Sequence, residues 1–143
     1  MDIALEEAAK AAEAGEVPVG AVIVDPSGKV IARAHNRVKS PPDPTGHAEM
    51  IAIREAAKLS GNERLDGFDL YVTLEPCTMC AQAIAFARIR RVYFGAEDPK
   101  GGGITTGARV YNQATCHHRP EVYSGIAEGR SAALLRDFFA RRR

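Results

Sequence analysis

The sequence predicts an α/β fold, a small sheet layered between helices, and three observations predict it. Apolar and β-branched runs at 17–24, 30–34, 70–74 and 91–95 read as strands, and they alternate with Ala-rich or amphipathic stretches that read as helices. The turn-forming clusters Ser40-Pro41-Pro42-Asp43-Pro44 and Gly101-Gly102-Gly103 sit inside that pattern, so they read as loops of a single domain spanning 1–143 rather than as linkers. With 143 residues, 45% hydrophobic and 26% charged, the chain is long enough to bury a core and too apolar for disorder.

Residues 3–14 are Ala-rich with acids and one Lys, a helix by propensity, and Gly15 is placed to end it. Residues 17–24 and 30–34 form a hairpin around the turn Asp25-Pro26-Ser27-Gly28. Thr45 is placed to cap a helix over 47–59. A short strand at 70–74 ends at Glu75-Pro76, and a helix over 77–87 follows with the proline near its start, where a missing N–H costs least. Residues 91–95 form another strand, Val122-Tyr123 offer a fifth, and 128–142 a last helix with Leu134, Leu135, Phe138 and Phe139 as its apolar stripe.

Charge narrows the function. The 19 Lys and Arg nearly balance the 18 Asp and Glu, so there is no basic field of the kind that binds DNA indiscriminately. The balance is uneven along the chain. Residues 1–16 carry five acids against Lys10, and residues 130–143 carry five arginines against Asp137, which suits either a polyanion contact or a helix end favoured by its dipole. No apolar run approaches the ~20 residues of a membrane span. The acidic start Met1-Asp2-Ile3-Ala4-Leu5-Glu6-Glu7 lacks the basic patch of a secretory leader, so a cytoplasmic protein is expected.

Chemistry concentrates in His47-Ala48-Glu49 and Pro76-Cys77-Thr78-Met79-Cys80. Two cysteines three apart in the first turn of a helix share one face, and unpaired helix N–H groups there favour thiolates. His47 also stands at a helix start. One imidazole and two thiolates suit zinc and leave a tetrahedral ion one open position, where a water acquires a pKa of about 7. Glu49, two residues from a ligand, is set to move protons between that water and a substrate without occupying the metal. A closed structural site completed by Cys116, His117 or His118 would leave Glu49 without work, and those three read instead as a surface or packing feature.

H-x-E with P-C-x-x-C resembles the signature of the zinc nucleobase deaminases. Gly15-Glu16-Val17-Pro18-Val19-Gly20-Ala21, Asn36-Arg37, Thr73-Leu74-Glu75-Pro76-Cys77-Thr78-Met79-Cys80, Gly95-Ala96-Glu97-Asp98-Pro99-Lys100 and Phe138-Phe139 extend the resemblance, over nearly the whole chain, to the bacterial tRNA adenosine deaminases. The resemblance implies a three-layer α/β/α cytidine-deaminase-like fold with a central mixed five-stranded sheet. It implies a hydrolase acting on the C–N bond of a cyclic amidine, converting the wobble adenosine of a tRNA anticodon stem-loop to inosine. His47, Cys77 and Cys80 would hold one zinc ion per subunit, Glu49 would be the general acid and base, and no organic cofactor or membrane is called for. A homodimer is implied too.

The same resemblance assigns Asn36 to the flipped base, the backbone N–H groups of Ala48 and Cys77 to the zinc-bound oxygen, Pro18 and Val19 to the pocket wall, and Asp98 to the ribose. It assigns Phe139 and Arg142 to the anticodon loop, with Arg143 beside phosphate. From pattern alone, Asn36 reads equally as a turn residue, Pro18 and Val19 as strand core, Asp98 as a turn acid and Phe138 as core. Gly46, where relatives carry a small residue such as Ala, and the stretch 101–120 depart from the family pattern, which touches the choice of RNA more than the chemistry. Two other readings share these residues: a free-base deaminase acting on guanine or cytosine, and a zinc-stabilised RNA-binding module without catalysis.

Overall fold

The computed structural model describes residues 1–142; Arg143, expected beside phosphate, lies outside the described residues. The elements run α1 (Asp2–Glu13), β1 (Gly20–Val24), β2 (Val30–His35), α2 (Ala48–Ser60), β3 (Asp69–Leu74), α3 (Thr78–Phe86), β4 (Arg91–Ala96), β5 (Glu121–Tyr123) and α4 (Glu128–Ala140), with a 3-10 turn at Val110–Asn112. The strands form one sheet in the order β2-β1-β3-β4-β5. β1 is antiparallel to β2 and β3, whereas β3, β4 and β5 are parallel, which makes the sheet mixed as expected.

Alternation along β1 distributes the helices. Ala21 and Ile23 face the main core with Ala48, Ala52 and Ala56 of α2 and Ile84 of α3. Gly20 faces the other layer, and a Cβ there would collide with the backbone of Ala4 and Ala8 in α1. The glycine is thus the condition for α1 to lie flat on the sheet. α4 covers β4 on that side and packs beside α1, so helices lie on both faces.

β5 is only three residues long, which is why its sequence signal is weak. It is held at the edge by Tyr123 stacked on Tyr93, which stacks on Tyr71 of β3, with ring centroids 5.0 and 4.5 Å apart. The Arg91–Glu121 pair at 2.9 Å adds to the same edge.

Several boundaries differ from the sequence expectation, each for a local reason. Residues 17–19 stay outside β1, because the Val19 N–H turns back onto the Val17 carbonyl at 2.8 Å and Pro18 has no N–H for a ladder. Thr45 does not cap α2: its N–H and hydroxyl both donate to Asp43 Oδ1, at 2.9 and 2.7 Å, and His47 takes the N-cap place. Cys77 likewise precedes α3 as its N-cap instead of lying within it. α4 stops at Ala140, and of its apolar stripe Phe138 is buried while Phe139 is exposed. No helix among the described residues is long and apolar enough to cross a membrane.

Candidate active site

Two helix starts and one strand end make the site. His47 and Cys77 both have extended backbones, with φ/ψ of −75/148° and −70/175°, and neither side chain caps its own helix. Freed from capping, they converge. His47 Nδ1 lies 3.6 Å from Cys77 Sγ and 3.5 Å from Cys80 Sγ. A tetrahedral ion bound at ordinary zinc–nitrogen and zinc–sulfur lengths would set those separations at about 3.6 Å. The donor set therefore fits zinc in spacing as well as in softness, and it is the one such His/Cys group among the described residues.

Glu49 stands outside this triangle, as expected, yet lines the same cavity as His47 and Cys77. Its carboxyl is buried, and burial pushes its pKa up from the carboxylate range, with the neighbouring Cys77 acting in the same direction. The two cysteines differ more than the helix dipole alone would suggest. The Cys80 thiol, assisted by His47, lowers Cys77 to about 4 against the opposing effect of burial. Cys80 is pushed up, because it donates to Cys77 and is itself buried beside Glu49. His47 is raised by its contact with Cys77 and by the nearby Glu49 charge, against the lowering effect of burial.

The cavity measures about 310 Å³, at the low end for small-molecule sites. Val17, Val19, Leu74, Asn36 and Asp98 line it alongside the residues above. A larger cavity of about 520 Å³ between the 37–43 loop and α2 contains none of the donor residues, so the chemistry places the site in the smaller one. Pro18 is fully buried and does not line the cavity; it backs Val17 and Val19, which do.

Asn36 and Ala48 prove to be coupled. The Ala48 N–H donates to Asn36 Oδ1 at 2.8 Å. Asn36, twelve residues earlier, in effect caps α2 from outside. Arg142 stacks on Phe138, its guanidinium 4.2 Å from the ring centroid, and lies beside Gly15, next to the cavity-lining Glu16. Cys116 is buried with its thiol on the His118 carbonyl, and His118 Nε2 meets the Ile89 carbonyl at 2.7 Å; both pack, and neither joins the donor group.

Sequence reading assigned no separate role to two buried acids at this cavity. Glu16 accepts the Lys39 N–H at 3.0 Å and so holds the loop after β2. Glu75 accepts several N–H groups from residues 98–106, and these outweigh burial and lower its pKa. The available signal was slight: each acid abuts an apolar run at a place where loop N–H groups gather.

Residues 1–96 match the cytidine and deoxycytidylate deaminase zinc-binding region. The chain is 59% identical to a tRNA-specific adenosine deaminase of Agrobacterium fabrum, over 100% of this chain and 93% of that protein. A solved structure from studies of A-to-I editing by tRNA:A34 deaminases at the wobble position superposes with a TM-score of 0.92, at 59% identity, over 94% of this chain and 97% of that one. The guanine deaminase of Bacillus subtilis superposes with a TM-score of 0.64, at 44% identity, over 67% of this chain and 61% of that one.

Proposed function

The chain belongs to the cytidine and deoxycytidylate deaminase family, and from that premise we propose that it hydrolyses adenosine to inosine and ammonia at the wobble position of a tRNA anticodon. One observation carries the reaction: three donor atoms lie at one-ion spacing, and two of the residues that bear them, His47 and Cys77, line one cavity with the buried Glu49. In this reading His47, Cys77 and Cys80 hold one zinc ion per subunit. Zinc, when bound there, supplies Lewis acidity that makes water nucleophilic at neutral pH.

The remaining steps belong to the chain's own side chains. The Glu49 carboxylate takes a proton from the attacking water and delivers it to N1 of the purine. It then carries the second water proton to the departing amine, so one water enters and one ammonia leaves. Burial of Glu49 keeps its carboxyl away from competing solvent. Asn36 has spent its oxygen on Ala48, which leaves its amide N–H groups to donate to a ring nitrogen of the base. Val19 walls the base with Pro18 behind it, and Asp98 stands where the ribose would emerge. Exposed Phe139 and Arg142 meet the anticodon loop, whose unpaired base costs only a few kcal/mol to extrude.

The full-length likeness to tRNA deaminases supports the RNA substrate, and the reading takes 1–143 as one deaminase domain acting in the cytoplasm. It also includes a homodimer, for which Leu59 and Phe86, exposed near the ends of α2 and α3, offer apolar surface. A second reading, free-base deamination, is favoured by the likeness to guanine deaminase. Nucleoside mass spectrometry separates the two: zinc-loaded protein is incubated with an anticodon stem-loop bearing a wobble adenosine, and in parallel with guanine and cytosine. Inosine in the RNA sample alone is the expected result. Deamination of a free base alone would overturn the substrate, and no product in any sample would overturn the reaction.

A further inference from the structure

We propose that Glu75 is the positioning residue of the substrate rim: its carboxylate gathers the 98–106 segment, fixes Asp98 at the cavity and ties that rim to the segment bearing Cys77. The proposal rests on the deaminase reading above and assigns a role that the reaction itself does not require.

Glu75 follows β3 directly, and its own N–H donates to the Ala96 carbonyl at 2.8 Å, so its backbone is fixed across the parallel β3–β4 pair. The residue is 2% exposed. Oε1 accepts the Asp98 N–H at 3.0 Å. Oε2 accepts the N–H groups of Ile104, Thr105 and Thr106 at 3.0, 2.9 and 3.0 Å. The Thr106 hydroxyl lies 3.0 Å from Oε1 and 2.8 Å from the Asp98 carbonyl, bridging the two ends of the loop. Four backbone donors converging on one buried carboxylate form an anion nest with the anion supplied by the protein itself.

The loop also closes onto the zinc-ligand segment. Gly102 pairs with Cys77 in an isolated antiparallel bridge, and the Gly103 N–H donates to the Pro76 carbonyl at 2.8 Å. A side chain at position 102 would occupy the space of the Glu75 carboxylate, 2.5 Å away, so the backbone can wrap the acid only as glycine. All the donors Glu75 collects come from 98–106 and none from the His47–Glu49 segment. Its loss therefore loosens first the edge that carries Asp98, while the starts of α2 and α3 still carry His47, Cys77 and Cys80.

The test is Glu75→Gln, which keeps the shape but turns an NH2 toward N–H donors. Kinetics on the anticodon stem-loop should show KM raised roughly tenfold, the size of one lost hydrogen bond to a charged group, with kcat within about twofold and zinc content unchanged. Amide exchange should accelerate in 98–106 and stay unchanged in 48–60. Unchanged KM with an unchanged 98–106 exchange rate would overturn the proposal, as would zinc loss with kcat falling in proportion. Thr106→Val removes only the bridging hydroxyl and should move KM the same way, by roughly twofold to fivefold. If Glu75→Gln does not fold, an unchanged KM in Thr106→Val overturns the proposal. Wild-type protein run alongside separates the two ideas: no inosine from it sinks the deaminase reading, and amide exchange then decides the role of Glu75 by itself.

Discussion

The ligand atoms of His47, Cys77 and Cys80 lie within 4.8 Å of one another, and Glu49 is chemically separable from them. Glu49 is not in that donor group, and it is buried at the cavity that His47 and Cys77 also line. Glu49→Ala should therefore retain one zinc per chain by elemental analysis while inosine formation falls by roughly a thousandfold, the scale of a lost general acid and base. Loss of zinc from that variant would make Glu49 a ligand and contradict its role. The residue scale also shows a contact at Ala48 that local pattern does not announce. Its N–H is an ordinary first-turn donor, and only the fold brings the Asn36 oxygen to 2.8 Å from it.

Among the elements, α1 is tied to the sheet by one buried acid. Glu7 Oε2 accepts from Lys10 at 2.7 Å and from Arg33 of β2 at 2.9 Å, while Oε1 meets His35 Nδ1 at 3.0 Å. Burial alone would raise its pKa, but the hydrogen bonds from Lys10, His35 and Arg33 outweigh it and bring the group from 4.5 to about 2. A carboxylate held lower in the folded chain than in the unfolded one stabilises the fold fully above 4.5. That contribution declines as pH falls below 4.5 and is gone once the pH has dropped through about 2. It amounts to roughly 2 to 3 kcal/mol after allowing for the solvent-facing Lys10 and Arg33. Urea midpoints measured from pH 6 to pH 2 should fall more steeply for wild type than for Glu7→Gln. Parallel curves would mean that the network does not bind α1 to β2.

Across the whole molecule, the site lies at the carboxyl ends of the parallel strands β3 and β4, where Leu74, Glu75 and Asp98 emerge, which is where open α/β sheets place their ligands. The uneven charge of the sequence acquires a spatial meaning at this scale. Acidic α1 packs beside α4, whose Arg130 pairs with Asp2 at 2.7 Å, so part of the asymmetry neutralises itself. Arg142 is different: it stacks on Phe138 and lies beside Gly15. Replacing Arg142 and Arg143 with Ala should weaken binding of the anticodon stem-loop and reduce the log–log salt slope by about 1 to 2. An unchanged slope would return the tail to a solvated helix end.

By itself the sequence determined the layered α/β class and the four helices within a few residues, and it singled out the three donors that the fold brings together. Those features are written in local pattern: apolar periodicity, Pro76 before a helix, and residue types whose chemistry has few other uses. Tertiary structure decided the rest, because it depends on atoms distant in the chain. His47 and Cys77 come within 3.6 Å only because two helices begin at the same sheet edge. Thr45 looked like a cap because its type is right, yet Asp43 claims its hydroxyl. Pro18 and Val19 are neighbours in sequence and part ways at the cavity, one buried behind it and one lining it. The grip of Glu75 on a loop some thirty residues away left no periodic trace, since a carboxylate that gathers backbone N–H groups selects geometry and scarcely constrains the side chains it holds.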